Sequence, residues 1–102
     1  MGNDLENKVI VLTGGASGIG RECALAYARE NATVVILDSN FNAAQDTAEE
    51  LGGKSMALHA DVSDGTAVQA AVATVIKKLG RIDAVHNNGG YRWSFETTSR
   101  DD

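Results

Sequence analysis

Hydrophobic residues along the chain follow two spacings in turn. Short runs of consecutive apolar and β-branched residues are typical of buried strands. Apolar residues three and four positions apart are typical of a helix with one buried side. The predicted strands are Lys8–Thr13, Thr33–Leu37, Ser55–Ala60 and Ile82–His86. Helical spacing between each pair of strands predicts the order β-α-β-α-β-α-β, which indicates a parallel sheet with helical crossovers.

Three helices are predicted between these strands. The first covers Ile19–Glu30 and the second covers Asn42–Leu51, with two glycines after it as a stop signal. The third is expected to begin with Ser63 as its N-cap and to end before Gly80. Right-handed crossovers place the strands in the order 3-2-1-4, with helices on both faces. The prediction is a three-layer α/β fold in one domain over residues 1–102, with an irregular tail over 91–102.

Composition and charge limit the classes of function. A chain of 102 residues with 43% hydrophobic residues fits one globular domain. Its formal charge of −5 argues against binding to nucleic acid or to an anionic membrane surface. The N-terminus is polar and no apolar run is long enough to span a membrane, so we expect a cytoplasmic protein.

The single cysteine and the two histidines carry no predicted chemistry. Cys23 has no partner for an internal disulfide and is expected to be a small buried hydrophobe. His59 and His86 fall on predicted strands and are expected to be structural. No Cys-x-x-Cys or His-Glu-x-x-His spacing occurs, so no metal site is predicted.

The stretch Thr13–Gly20 lies between the first strand and the first helix and contains most of the candidate chemistry. Gly14 permits a tight turn, Gly18 lets a phosphate approach the backbone, and Gly20 lets helix and strand pack closely. The helix start supplies free N–H groups and a partial positive charge. This arrangement predicts a dinucleotide site. Its predicted contacts within the stretch are Gly14, Ala16, Ser17, Gly18, Ile19 and Gly20.

Asp38 closes the second strand and indicates which dinucleotide binds. Its carboxylate can accept hydrogen bonds from the adenosine ribose hydroxyls of NAD, whereas a 2′-phosphate would meet a like charge. Ser39 and Ser17 provide no compensating cation. The predicted cofactor is therefore NAD. The alternative is that Asp38 only forms a turn at the strand end.

At this point the chain resembles the short-chain dehydrogenase/reductase family. The family's Thr-Gly-x-x-x-Gly-x-Gly motif is matched by Thr13–Gly20, its Asp after the third strand by Asp61-Val62, and its Asn-Asn-Ala-Gly by Asn87-Asn88-Gly89-Gly90, with Gly89 in place of Ala. The resemblance implies that Asp61 and Val62 lie near the adenine and that Asn87, Asn88 and Gly89 line the cofactor. It implies a partial Rossmann-like fold and hydride transfer between NAD(H) and an alcohol or carbonyl substrate.

The family's catalytic residues have no match here. Its Ser and Tyr-x-x-x-Lys pair follow the region that this sequence resembles, and no Tyr-x-x-x-Lys occurs in the 102 residues. The catalytic residues are therefore unknown. Three readings stay open: the cofactor-binding part of an oxidoreductase, a non-catalytic nucleotide-binding or interaction module, and an oligomer active through Tyr91. The substrate is not indicated.

The predicted fourth strand lies at the edge of the sheet. An edge strand presents unpaired backbone groups that can pair with another chain. We therefore expect a homo-oligomer or a swapped assembly through this edge.

Overall fold

The structure is a computed structural model that describes residues 5–16 and 18–88. Predictions on Ser17, on Gly89 and on the tail over 91–102 lie outside the described residues. The seven elements occur in the predicted order, with ends that differ by one or two residues. They are β1 (Val9–Thr13), α1 (Gly18–Arg29), β2 (Thr33–Asp38), α2 (Phe41–Leu51), β3 (Met56–His59), α3 (Gly65–Leu79) and β4 (Ala84–Asn87).

The four strands form one parallel sheet in the order β3-β2-β1-β4, which confirms the predicted topology. Val11 on β1 pairs with Val35 on β2 and with Val85 on β4. The order follows from right-handed crossovers: two successive connections move to one side of β1, and the third returns to its other side.

Both faces of the sheet are covered, so the molecule has the predicted three layers. Successive side chains of a strand point to opposite faces, and β1 and β2 are apolar at every interior position. One face packs against α1 and α2. Its buried members include Ile10, Leu12, Val34, Ile36, Ala24, Ala44 and Ala48. The other face packs against α3. Its buried members include Val9, Val11, Val35, Leu37, Val68, Val72 and Val75.

The helices are short and have one buried side each. They contain 12, 11 and 15 residues. Cys23, expected to be a small buried hydrophobe, is only half-buried, because it lies at the margin of the apolar stripe of α1. In the described part of the chain, no helix combines the length and the apolarity that crossing a membrane requires.

The predicted N-cap of α3 is wrong by one residue. Asp64 is the cap, because its carboxylate accepts hydrogen bonds from the backbone N–H groups of Thr66 and Ala67, at 3.0 and 3.4 Å. The Ser63 hydroxyl instead donates to Asp61 Oδ1 at 2.6 Å. Serine and aspartate both suit an N-cap, and the competing contact with Asp61 decides between them.

β4 begins at Ala84 rather than at the predicted Ile82. Just before β4, Asp83 forms two hydrogen bonds with Val9 at the start of β1. Its N–H donates to the Val9 carbonyl and its Oδ2 accepts from the Val9 N–H, both at 2.8 Å. The Arg81 guanidinium lies 2.6 Å from Asp83 Oδ1. Partial burial raises the pKa of Asp83, but the hydrogen bonds from Arg81 and Val9 outweigh it, so the pKa is lowered.

We expect Asp83→Ala to lower the free energy of unfolding by about 1–3 kcal/mol, because it removes a charge-assisted bond to a strand N–H. A lowered pKa in the folded state means that the stabilisation is present above the unfolded-state value near 3.8. It is lost as pH falls through the folded-state pKa. Urea unfolding at several pH values between 2 and 7 measures both effects.

Asp46→Ala is the control for this experiment, because Asp46 is an exposed carboxylate on α2. Asp46→Ala should leave the fall in the free energy of unfolding at low pH unchanged. An Asp83→Ala profile parallel to the native one below pH 4 would contradict the assignment.

Candidate functional site

The carboxyl ends of the strands meet at one edge of the sheet. Thr13, the last residue of β1, pairs with Leu37 on β2 and with Asn87 on β4. Asp38, the last residue of β2, pairs with His59 at the end of β3. The segments that follow β1, β2, β3 and β4 therefore open on the same edge, which is where open parallel sheets bind their ligands.

The glycine loop after β1 turns sharply and is in close contact with the start of α1. Gly14 has a φ of 73° and its N–H donates to the Leu37 carbonyl at 2.9 Å. A Cβ on Gly20 would lie 2.1 Å from the Gly14 carbonyl oxygen, far inside contact distance. The predicted reasons for glycine at these two positions, a tight turn and a close approach, are therefore visible in the structure.

The start of α1 is open on its outer side. Gly18 is exposed, has a φ of 62°, and has space where a Cβ would stand. Ile19 is 76% exposed and lies in an apolar groove of about 560 Å³ that Cys23 and Ala26 also line. The first turn of α1 contains no acidic residue, so its N–H groups are not neutralised locally.

Asn88 joins the end of β4 to the glycine loop. Its side-chain Nδ2 donates to the Gly14 carbonyl at 3.3 Å, and its backbone N–H donates to Thr13 Oγ1 at 3.2 Å. The Thr13 hydroxyl in turn donates to Asn87 Oδ1 at 3.4 Å. Two of the predicted site residues, Asn87 and Asn88, are therefore bonded to Thr13 and Gly14 at the end of β1.

Two threonines support this loop, although neither was among the predicted site residues. Thr13 is fully buried and bonds both asparagines, as described above. Thr47 on α2 is 3% exposed, and its hydroxyl donates to the Ala16 carbonyl at 3.3 Å. The sequence contains a signal for Thr47, because it lies on the same helical stripe as Ala44, Ala48 and Leu51. A hydroxyl on a buried stripe needs a partner.

Asp38 lies beside the same loop. Its Oδ2 accepts from the Ala16 N–H at 3.3 Å, and its Oδ1 accepts from the Asn40 N–H at 3.0 Å. A carboxylate offers about four lone-pair sites, so these bonds leave room for further donors. Asp38 therefore does more than form a turn, because it connects β2 to the glycine loop.

Asp61 and Val62 follow β3 at the same edge. The Ala60 N–H donates to the Asp38 carbonyl at 3.2 Å, which brings this segment next to Asp38. Asp61 is exposed. Its pKa is lowered, chiefly because Oδ1 accepts from the Ser63 hydroxyl and then from the Ser63 N–H. Val62 packs against the core cluster below α3.

Glycine backbone forms the contact between the loop and the start of α1. The Gly14–Gly20 contact leaves no room for a side chain at position 20, and Gly18 has open space where a Cβ would stand. The Asp38 carboxylate lies beside the loop, and Asp61 follows β3 at the same edge of the sheet. Among residues 5–16 and 18–88, no three His, Cys, Asp or Glu side chains are grouped so that they could hold a metal ion.

Comparison with known proteins shows the family. A sequence model described as short chain dehydrogenase matches residues 8–102. The chain belongs to the short-chain dehydrogenase family. It is 43% identical to a sorbitol dehydrogenase of Cereibacter sphaeroides, over 82% of this chain and 33% of that protein. It is 44% identical to tropinone reductase-like 2 of Erythroxylum coca, over 84% of this chain and 31% of that protein.

Solved structures of family members have the same fold. The structure of 3-ketoacyl-(acyl-carrier-protein) reductase from Brucella melitensis complexed with NADH matches with a TM-score of 0.76 and 38% identity, over 80% of this chain and 34% of that chain. A hydroxysteroid dehydrogenase from Escherichia coli matches with a TM-score of 0.77. The fold is therefore Rossmann-like, as predicted. This short-chain dehydrogenase sequence spans about a third of the length of the curated relatives it matches.

We expect Gly20→Ala to disrupt the site and to destabilise the fold. The added methyl would collide with the Gly14 carbonyl and would lie 2.9 Å from Asn88 Nδ2, so α1 must move away from the loop. Overpacking of this kind costs about 1–3 kcal/mol. Thermal unfolding measures the loss, and the side-chain NH₂ resonances of Asn88 report the broken contact with Gly14.

Gly80→Ala is the matched control. Gly80 has a φ of 86° at the end of α3, and an added Cβ there would meet no atom within 4 Å. The control should lose stability through backbone strain alone and keep the native Asn88 resonances. Native Asn88 resonances in Gly20→Ala would show that the close approach does not hold this loop.

Proposed function

We propose that this chain is the NAD-binding part of an oxidoreductase that transfers a hydride between NAD(H) and an alcohol or carbonyl substrate. The observation that carries the proposal is the close contact among Gly14, Gly20 and Asn88 at the start of α1, with the Asp38 carboxylate beside it. Membership of the short-chain dehydrogenase family supports it, as does a structural neighbour complexed with NADH.

The pyrophosphate is assigned to the start of α1. The N–H groups of the first helical turn have no partners within the helix, and aligned peptide dipoles add about half a positive charge there. No acidic residue lies in this turn. Gly18 presents an uncovered backbone, and Ile19 offers an exposed apolar side chain to the bound ligand. Ala16 and Ser17 complete the proposed loop contacts.

The adenosine end is assigned to the carboxylates that follow β2 and β3. Asp38 would accept hydrogen bonds from the ribose hydroxyls, and Asp61 with Val62 would lie along the adenine. A 2′-phosphate at Asp38 would place two negative charges together, and among residues 5–16 and 18–88 no cation forms an ion pair with Asp38, which favours NAD over NADP. Asn87, Asn88 and Gly89 are assigned to the side of the cofactor next to β4.

Bound NAD supplies the hydride acceptor, and NADH the donor. The residues assigned above bind and orient that cofactor, and none of them exchanges the substrate proton. A second candidate is a nucleotide-binding or interaction module without turnover, which would use the same residues to hold the cofactor. Both candidates bind NAD and predict little turnover by these 102 residues alone. A reading frame that continues past Asp102 into a Tyr-x-x-x-Lys motif, together with dehydrogenase activity of that longer chain on secondary alcohols or sugars, would favour the first. A cytoplasmic location stays a prediction.

The cofactor assignment is tested by titrating NAD and NADP into the native chain and into Asp38→Asn by calorimetry. The substitution keeps an oxygen that can accept from the Ala16 N–H but removes the charge. We expect NAD affinity to fall and NADP affinity to rise, each by about tenfold, which corresponds to about 1.4 kcal/mol. Asp46→Asn, on the exposed side of α2, should change neither value.

Two results would overturn the assignment. Absence of NAD binding by the native chain would remove the proposed function itself. Equal affinity of the native chain for NAD and NADP would keep the dinucleotide site but remove the role of Asp38.

We also propose that the chain forms a homo-oligomer or a swapped assembly through β4. Within the described sheet, β4 pairs with β1 alone, and Ala84 on it is exposed. Analytical ultracentrifugation should show association that depends on concentration. Ala84→Lys, which adds a charge to the edge, should weaken it by about tenfold or more, whereas Ala73→Lys on the exposed side of α3 should not. A native chain that is monomeric at all concentrations would contradict the proposal.

A further inference from the structure

A side-chain contact joins the cofactor helix to the edge strand. Tyr27 Oη on α1 lies 2.6 Å from His86 Nδ1 on β4. The two rings meet edge to face, with centroids 5.8 Å apart and planes inclined at 75°. Both residues are half-buried, and Tyr27 packs against the core cluster below α1 and α2. The contact is therefore held in place from the helix side.

The position of this contact connects it to the proposed site. α1 begins at the glycine loop, and β4 leads directly into Asn88, which bonds the Gly14 carbonyl. His86 pairs with Leu12 on β1, one residue before the pairing of Asn87 with Thr13. β4 has one neighbouring strand in the described sheet, so a bond to α1 adds support from a second element.

The chemistry of the pair favours a hydrogen bond from Tyr27 Oη to His86 Nδ1, and the opposite direction requires the other imidazole tautomer. A neutral imidazole has one protonated nitrogen and one acceptor nitrogen, and a phenol hydroxyl is the stronger donor. Burial, together with the nearby Cys23 sulfur, raises the pKa of the Tyr27 phenol, so the hydroxyl keeps its proton. When Tyr27 donates to Nδ1, the imidazole proton lies on Nε2.

We propose that Tyr27 is a positioning residue of the cofactor site: through His86 it holds β4 against α1 and thereby keeps Asn88 on the Gly14 carbonyl. This inference rests on the proposed NAD function, because it holds that the dinucleotide binds only when β4 is docked and Asn88 contacts the Gly14 carbonyl. Opening of β4 removes Asn88 from the loop. The apparent affinity for NAD then falls in proportion to the docked fraction.

The proposal is tested with a double-mutant cycle on the full chain. Tyr27→Phe removes the donor and His86→Val removes the acceptor, and the cycle includes the double variant. His86→Asn is the rescue variant, because its Oδ1 can stand near the position of Nδ1 and accept from Tyr27. Ser55→Ala is the matched control. The Ser55 hydroxyl accepts from the Val34 N–H at 3.1 Å, so its loss removes a comparable half-buried bond next to β3, away from β4.

Three measurements are made on each variant. Amide hydrogen exchange of Val85 and Asn87 reports the opening of β4, calorimetry gives the NAD dissociation constant, and nitrogen chemical shifts of His86 report its tautomer. We expect Tyr27→Phe and His86→Val each to speed exchange about three- to tenfold, the range of one neutral hydrogen bond. The NAD dissociation constant should rise about two- to fivefold.

The remaining variants show whether the effects come from the contact itself. The double variant should be no worse than the stronger single variant, because the second change removes nothing further. His86→Asn should stay within about twofold of the native exchange rate and affinity. Ser55→Ala should lower thermal stability but leave β4 exchange and NAD affinity unchanged. Native His86 should carry its proton on Nε2 and should lose that preference in Tyr27→Phe.

The results separate this inference from the proposed function. A native chain that binds no NAD overturns both. A native chain that binds NAD, with Tyr27→Phe showing native exchange and affinity, overturns the positioning role alone. Faster β4 exchange with unchanged NAD affinity also overturns it, because the contact would then support the strand without affecting the site. Additive effects in the double variant would show that the two side chains act separately.

Discussion

The close approach of Gly20 to the Gly14 carbonyl is the constraint on which the rest of the site depends. A Cβ at Gly20 would lie 2.1 Å from that oxygen, so α1 can start directly against β1 only with glycine at this position. The same carbonyl accepts a bond from Asn88 after β4. One backbone group thus joins the first strand, the first helix and the fourth strand. The start of α1 thereby lies at the carboxyl edge of the sheet.

The sheet and its helices could be predicted because their signals are local. Val9–Thr13 and Thr33–Asp38 are apolar almost throughout, as expected for strands buried on both faces, and the crossovers between them can be placed by their handedness alone. The reasons for glycine at positions 14 and 20 could also be predicted, since each depends on a turn or a close approach between residues near in sequence. Errors at element ends arose where two nearby polar residues competed, as Ser63 and Asp64 did for the cap of α3.

The partners in the contacts that support the site could not be predicted from the sequence, because these contacts join distant parts of the chain. Thr47 reaches Ala16 across two elements, and Tyr27 reaches His86 only after β4 has paired with β1. Each of these side chains is polar and lies on an otherwise apolar stripe or strand. That pattern indicates that a partner exists. The identity of the partner depends on register and on the packing of helix against sheet, which local spacing does not specify.

An acidic chain can still offer a site for an anion, because the charges that matter are local. The chain has a formal net charge of −5, whereas the first turn of α1 contains no acidic residue. The N–H groups of a first helical turn have no partners within the helix. At about 0.1 M salt, exposed carboxylates more than about 10 Å away have little effect on the site, because solvent and ions screen their charge. Asp38 is the exception, since it bonds the loop itself through Ala16. Its negative charge therefore acts on whatever lies next to the loop, which is the physical basis of the proposed preference for NAD over NADP.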